Sequence, residues 1–226
     1  MRILGIDTAT WIASVGLRIG QALVAEKSQA ASGSHAVSLL ELIEETLRTA
    51  GIAVHDLDAI AVSSGPGTFT GLRVSLSVAK GLAYATGARL VGVPTLEALA
   101  RSVADQESPI CALLDARKGE VYAACFQPTR EGLRRLTADL LLTPEALLEQ
   151  LPAPCVILGD GVSRYGEFLR HRVKTPMTLL SPDAYGPRGG VVALMGAERL
   201  QAGESDDLSR LEPTYIRPPD AELKAR

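Results

Sequence analysis

Apolar residues along the chain follow two different periods, and their alternation predicts an α/β protein. Three short extended runs open the chain, and the first of them ends at Asp7. Runs at such close spacing predict an antiparallel meander of strands. A helical period follows in Ser34–Gly51, with Ser34 as the expected N-cap and Gly51 as the expected end. The pattern then predicts strands at 57–62 and 89–93, alternating with helices at 71–86 and 95–104.

A polar segment, Asp105–Pro109, interrupts this pattern, which then starts again. A strand at 110–116 contains Asp115 and is followed, after a short turn, by a strand at 120–126. The first strand, with Asp7 at its end, is followed by a second strand in the same way. This repetition predicts two lobes of related α/β architecture, residues 1–105 and 106–226, with a frayed tail from about residue 218. The second lobe is completed by a Thr-Pro helix start at 143–144, a strand at 155–161, a helix around 163–170 and a final helix near 188–203.

Composition and charge narrow the function classes. The 226 residues are 46% apolar and 22% charged, which is a globular composition, and their formal net charge is −3. This charge gives no sign of the basic stripe typical of RNA-binding domains, and only 4% of the residues are aromatic, which argues against a base-stacking platform.

The cysteines and the apolar runs bear on the cellular compartment. The three cysteines, Cys111, Cys125 and Cys155, lack metal-ligand spacing and are interpreted as buried reduced thiols. No apolar run approaches the roughly 20 residues of a membrane span, and the first residues do not form a signal peptide, so a cytoplasmic protein without a membrane partner is expected.

Two segments at strand ends could hold a phosphate. Asp7 is followed by Thr8 and Thr10, a set that could bind Mg²⁺ and phosphate oxygens. The loop Ser63–Arg73, with the sequence SSGPGTFTGLR, could offer backbone N–H groups and a cation at the start of a helix. It lacks the Lys-Ser/Thr ending of a P-loop, so a tight turn that lets a helix pack closely is an equal alternative. The candidate anion-site residues of the loop are Gly65, Gly67, Gly71 and Arg73.

The helix predicted at 71–86 is apolar on most of its faces. This pattern fits a central core helix, and it also fits a helix that meets a partner subunit together with the helix near residues 35–49. The candidate interface residues are His35, Leu39, Leu42, Leu72, Leu76, Ala79, Lys80 and Ala83. No metal-ligand cluster and no G-x-S-x-G motif is visible, so no catalytic residue and no metal ligand is assigned.

Six segments together resemble the TsaB (YeaZ) family, in order and spacing over nearly the whole chain. They are ILGIDTAT, SSGPGTFTGLRVSLSVAKGLA, GVPTLEALA, LDARKGEVYAACF, ILGDG and EPTYIR. The resemblance implies an actin/Hsp70/sugar-kinase-like fold, with two lobes of ribonuclease-H-like topology. It also implies a role in forming threonylcarbamoyladenosine (t6A) in tRNAs that read codons starting with A. The implied role is a scaffold subunit without catalytic activity of its own, which binds the related transferase TsaD and the small ATPase TsaE, while TsaC supplies the activated threonylcarbamoyl group. A homodimer is expected in isolation, with tRNA contacted only through the complex.

The same resemblance locates differences from TsaD-like proteins. These carry a His-x-x-x-His metal motif, and Thr95 and Leu99 stand at its two ligand positions here. Asp115 lies in the segment that resembles the second phosphate motif of the fold, and Gly159 and Gly161 lie in the segment that resembles its adenosine motif. No cofactor is assigned, and ATP or ADP with Mg²⁺ at a subunit interface is the candidate, which the long side chains of Arg117-Lys118 would either crowd or contact. An active small-molecule kinase or ATPase of the same fold is the alternative function, and a metallopeptidase is a remote one.

Overall fold

The computed structural model describes residues 1–30, 35–103, 107–172, 176–186 and 188–217, and within these ranges it leaves out the side chains of residues 35–37 and 183. The expected N-cap Ser34 and the expected tail from about 218 lie outside the described residues. In chain order the elements are β1 (Arg2–Asp7), β2 (Ile12–Ile19), β3 (Ala22–Ala30), α1 (His35–Ala50), β4 (Ala59–Gly65), α2 (Phe69–Thr86), β5 (Arg89–Pro94), α3 (Thr95–Arg101), β6 (Ile110–Arg117), β7 (Glu120–Thr129), β8 (Gly132–Arg135), β9 (Leu140–Leu142), α4 (Pro144–Leu148), β10 (Cys155–Leu158), α5 (Asp160–Arg172), β11 (Met177–Leu179) and α6 (Gly189–Gln201), with single 3-10 turns at Val54–Asp56 and Pro182–Ala184.

Contacts divide the chain into two units that differ from the contiguous lobes expected from the sequence. The first unit is Met1–Ala98 with Pro187–Pro213, and the second is Leu99–Gly186 with Thr214–Arg226. The expected division into 1–105 and 106–226 therefore needs correction, because α6 packs on the sheet of the first unit, against β1, β2 and β4. The amphipathic pattern of a helix indicates that one face is buried, but not which sheet buries it.

In the first unit, a five-stranded sheet has the order β3-β2-β1-β4-β5. The meander β1–β2–β3 is antiparallel, as predicted, whereas β4 and β5 run parallel to β1. One face of the sheet packs against α1 and α2, where Leu4 and Ile6 of β1 join Leu39, Leu42 and Leu76 in one apolar core. The other face packs against α6, where Ile3 lies among Val192 and Ala193. Side chains of β1 thus alternate between two buried layers, which explains why this strand is apolar along its length.

The second unit repeats this strand order. Its sheet reads β8-β7-β6-β10-β11, with β9 added beside β7. The β6–β7 pair is antiparallel and β10 is parallel to β6, which matches the positions of β2 and β4 around β1. The predicted repetition of strand, Asp, turn and strand is therefore confirmed. The short strands β8, β9 and β11 were not predicted, and α5 begins at Asp160, so Gly161 belongs to a helix rather than to the end of a strand.

The three cysteines lie in the core of the second unit, as predicted. All three are free thiols and buried, on three neighbouring strands. Burial, reinforced by the neighbouring Cys125, raises the pKa of the Cys155 thiol to about 11. A thiol with such a pKa is protonated at neutral pH and is a poor nucleophile. Among the described residues, no helix is both long and apolar enough to cross a membrane.

The start of α2 lies in close contact with the turn between β1 and β2. Thr68 donates its backbone N–H to the Ala9 carbonyl at 2.8 Å, and the Thr8 hydroxyl donates to the Gly71 carbonyl at 2.7 Å. A Cβ at Gly71 would lie 2.0 Å from the Thr8 carbonyl oxygen. Only glycine therefore lets the helix approach the turn at this distance.

We expect Gly71→Ala to lower the free energy of unfolding by about 3 kcal/mol, because the added methyl group would collide with backbone that cannot move alone. Gly81→Ala, on the same helix, is the matched control, since a Cβ there meets nothing within 4 Å. We expect the control to stabilise the protein by about 0.5–1 kcal/mol through helix propensity. Urea denaturation of both variants measures the difference, and two small effects of the same sign would contradict the close approach.

Candidate functional site

The carboxylate of Asp7 is the best-buried charged group among the residues expected to hold a phosphate. Its side chain is 1% exposed and forms an ion pair of 2.5 Å with Arg188, whose side chain is 7% exposed. The same guanidinium donates to the Thr10 hydroxyl at 2.9 Å, and the second carboxylate oxygen accepts from the Ala9 N–H at 3.0 Å. The structure thus brings Asp7 and Thr10 together, but around a cation supplied by the chain itself.

This arrangement determines what the Asp7 carboxylate can bind. Mg²⁺ takes oxygen ligands in a strict octahedral geometry, and both Asp7 oxygens are already engaged by N–H donors. The Arg188 guanidinium also occupies the position beside the carboxylate that a bound metal ion would need. The Asp7 carboxylate therefore does not fit as a ligand of Mg²⁺ in this arrangement.

The glycines of the SSGPGTFTGLR loop face other parts of the chain, which for Gly67 and Gly71 is the backbone of the β1–β2 turn. The Gly65 N–H donates to the Thr95 hydroxyl at 3.1 Å, and a Cβ at Gly67 would lie 2.6 Å from the Ala9 carbonyl. The same holds for Gly71, against the Thr8 carbonyl. The close approach that these glycines permit is thus made by the β1–β2 turn, which favours the packed-turn alternative over the anion site.

Arg73 lies on the exposed side of α2. Its guanidinium stacks over the Phe69 ring, 3.7 Å from the ring centroid. Such a contact stabilises a solvent-facing pair of side chains by cation–π attraction.

Thr95 and Leu99, at the positions of the TsaD-like metal ligands, have packing roles. Both are fully buried, and the Thr95 hydroxyl accepts the hydrogen bond from Gly65. The Leu99 side chain packs against Gly159, where an added Cβ would lie 2.9 Å from a Leu99 methyl group. Within the described ranges, no group of three or more His, Cys, Asp or Glu side chains is arranged to hold a metal ion.

The remaining expected site residues belong to the second unit. The Asp115 carboxylate accepts from the Arg117 N–H at 2.9 Å and lies 3.3 Å and 3.5 Å from the guanidinium groups of Arg117 and Arg164. The Asp115 N–H donates to Asp160, at the start of α5, at 2.9 Å. These contacts tie the end of β6 to the start of α5.

Gly159 and Gly161 serve this same junction. A Cβ at Gly159 would lie 2.0 Å from the Leu113 carbonyl, and one at Gly161 would lie 2.7 Å from the Leu113 side chain. Both glycines are therefore explained by the packing of α5 on β6.

The expected interface residues require a correction. Six of them are buried within the first unit, because they form the face by which α1 and α2 cover its sheet: Leu39, Leu42, Leu72, Leu76, Ala79 and Ala83. Lys80 is half-buried, and the side chain of His35 lies outside the described residues. A charge at Leu39 or Leu76 would unfold the first unit and so could not test a surface contact.

The sequence predicted no role for two arginines that make long-range contacts, Arg188 and Arg217. Arg188 pairs with a residue 181 positions away, and Arg217 reaches the β6–β7 turn from about 100 positions away. Arg188 stands at the start of the helix predicted near 188–203, and Arg217 is the last residue of the EPTYIR segment. Neither position carries a local signal for a partner so distant.

We expect Arg188→Ala to lower the free energy of unfolding by about 3–5 kcal/mol, because it leaves the Asp7 carboxylate buried without a counter-charge. Arg2→Ala is the matched control, since Arg2 pairs with Asp56 at 3.3 Å on the surface, with side chains 42% and 48% exposed. That loss should stay below about 1 kcal/mol.

The double variant Asp7→Asn/Arg188→Gln should recover part of the stability lost in Arg188→Ala, because no charge remains buried. Urea denaturation checks all three proteins. Equal losses of unfolding free energy for Arg188→Ala and Arg2→Ala would contradict the larger contribution expected of the buried pair.

Comparison with known proteins places this geometry in a family. The family model described as "TsaD: tRNA N6-adenosine threonylcarbamoyltransferase" matches residues 26–224. The "tRNA threonylcarbamoyladenosine biosynthesis protein TsaB" of Bacillus subtilis is 28% identical over 227 residues, covering 99% of this chain and 97% of that protein.

Solved structures agree with the sequence match. YeaZ from Pseudomonas aeruginosa superposes with a TM-score of 0.79 at 27% identity, covering 95% of this chain and 99% of that one. A second solved structure is the activator of the 2-hydroxyisocaproyl-CoA dehydratase from Clostridium difficile with bound ADPNP. It has a TM-score of 0.54 at 14% identity and covers 92% of this chain and 99% of that one. At this identity the match shows the fold alone. The fold is the expected α/β fold of the actin, Hsp70 and sugar-kinase type, and the chain belongs to the TsaB (YeaZ) family within the wider family that the TsaD model describes.

Proposed function

We propose that this protein takes part in t6A biosynthesis as a scaffold subunit without catalytic activity of its own. The observation that carries the proposal is the nearly full-length match to a TsaB protein named for this pathway. In this role it binds a TsaD-type transferase and the ATPase TsaE in the cytoplasm, and tRNA joins through the assembled complex.

The internal contacts of the candidate site support a non-catalytic role. The Asp7 carboxylate is neutralised by Arg188, and the Thr95 hydroxyl is used by the Gly65 N–H. Both groups are thus engaged by partners within the chain and serve its packing.

The exposed face of α2 is the surface that we propose for TsaD, in place of the buried residues. Aromatic side chains mark its two ends, Phe69 at 43% and Tyr84 at 86% exposure, and the small residues Ser77 and Gly81 lie between them. Exposed aromatic residues are enriched at protein interfaces, and small residues between them let a second helix come close. In the absence of TsaD, we propose that a second copy of this chain occupies the same face.

We expect Ser77→Arg to weaken co-purification with the TsaD-type protein of the same genome by about tenfold or more, because a long charged side chain would separate the two helices. Gln21→Arg, on the exposed β2–β3 turn, is the control and should leave co-purification unchanged. Thermal midpoints should be equal, since both positions are exposed. Undiminished pairing of Ser77→Arg would contradict this choice of surface, and failure of the wild-type protein to pair would contradict the scaffold role.

Titration calorimetry with ATP and Mg²⁺ tests the alternative function, an active kinase or ATPase. We expect no saturable binding by the isolated protein, because the Asp7 oxygens accept hydrogen bonds from Arg188 and Ala9 and are not open to a metal. Tight binding with turnover would favour the kinase alternative.

A further inference from the structure

The turn between β6 and β7 holds two long cationic residues in a backbone conformation that such residues rarely adopt. Arg117 has φ 62° and Lys118 has φ 55°, and Gly119 follows with φ 80°. Arg117 pairs with Glu120, so Lys118 and Gly119 are the two central residues of the hairpin loop. Positive φ at both central residues is the geometry of a type I′ turn, which favours Asn and Gly. Among the described residues, Arg117 and Lys118 are the two non-glycine residues with positive φ.

Several side chains hold this turn in place. Arg217, from the EPTYIR segment, donates to the carbonyl groups of Ala116 and Arg117 and pairs with Glu120. From the other side, Asp115 accepts the Arg117 N–H at 2.9 Å. A disfavoured conformation persists only where surrounding contacts determine it, and such positions concentrate at functional sites.

The charges at this turn are sorted by exposure. The side chains of Arg117 and Arg164 are 70% and 53% exposed, and Lys118 is exposed as well. The Asp115 carboxylate, 3.3 Å and 3.5 Å from the two guanidinium groups, is only 9% exposed. The Asp115 carboxylate therefore holds the guanidinium groups of Arg117 and Arg164 from the buried side, so the exposed charges here are mainly cationic. Glu120, with a side chain 35% exposed, is paired with Arg217. Such a local surface is compatible with the net charge of −3 for the whole chain.

We propose that Arg117, Lys118 and Arg164 form a binding surface for the phosphate backbone of tRNA, an inference that rests on the proposed function in t6A biosynthesis. Guanidinium and ammonium groups are the side chains that proteins use for RNA phosphates, and they position the nucleic acid without reading its sequence. An Asn or Gly at these positions would fit the backbone better, but would supply no charge. The phosphate contacts give a reason for the presence of Arg and Lys in a left-handed turn that Arg217 holds in place.

The test measures binding of an unmodified tRNA transcript by fluorescence anisotropy, over a salt series from about 50 to 200 mM. The full chain is used both alone and with its TsaD-type partner. Arg117→Asn and Lys118→Asn remove one cation each and introduce a residue that tolerates positive φ. Each variant should bind tRNA about fivefold to tenfold more weakly at the lowest salt, and the slope of log affinity against log salt should fall by about one. The thermal midpoint of each variant should stay equal or rise, so lost binding is not lost folding.

Arg130→Asn is the matched control, because Arg130 is an exposed arginine on the β7–β8 turn of the same unit. It should change neither the affinity nor the salt slope. Unchanged salt slopes for Arg117→Asn and Lys118→Asn would overturn the proposal, as would an equal effect of Arg130→Asn.

Two further readouts separate the causes of a changed affinity. Co-purification with the TsaD-type protein should be the same for wild type and variants, and a loss of pairing that accounts for the weaker tRNA binding would overturn the inference. A loss of ATP affinity with unchanged tRNA affinity would assign the turn to a nucleotide and also overturn it. If the wild-type chain fails to pair with TsaD, the proposed function fails, and the inference is then judged on the chain alone, where the absence of salt-dependent tRNA binding by the wild type would overturn it.

Discussion

A buried carboxylate at the end of β1 must have a partner, and the arrangement of the first unit follows from that requirement. Asp7 is out of contact with water, so an unpaired charge there would cost several kcal/mol. Arg188 supplies the counter-charge and directly precedes α6, so the ion pair fixes where this helix begins. From that point α6 crosses the sheet and completes its second buried layer. Two further contacts hold the same helix start, since the Gly189 N–H donates to the Ser14 hydroxyl at 2.9 Å and the Gly190 N–H donates to the Glu26 carboxylate at 2.6 Å.

Close backbone packing gives the candidate phosphate loop its shape. A glycine-rich turn between a strand and a helix can receive a phosphate or a neighbouring turn, because both demand the absence of a Cβ. Here Thr8 and Ala9 fill the positions facing Gly71 and Gly67. The backbone outline of this turn is thus filled by the chain's own residues.

The sequence predicted most of the fold and less of the site, for physical reasons. Hydrophobic periods are local, so the long strands, α1 and α2 could be placed from neighbouring residues alone. Burial by a distant element is not local: the residues expected to meet a partner on α2, such as Leu76, meet the sheet of their own unit. Residue type alone singles out Gly67 and Gly71 as sites of close approach, but it does not say that Ala9 and Thr8 are what approach them. Arg188 could not be assigned, because its partner is 181 residues away and an arginine by itself has no preferred carboxylate.

Both units are completed by residues that the ribosome makes late. Arg188 closes the first unit, and Arg217 reaches back to the β6–β7 turn of the second. Until residue 188 has been made, Asp7 lacks its counter-ion, and until residue 217 has been made, the left-handed turn lacks its hydrogen bonds from Arg217. Domains with contiguous sequences can fold in turn as they emerge. This chain instead reaches its final packing in both units only after synthesis has passed residue 217, so its early strands must stay unaggregated until then.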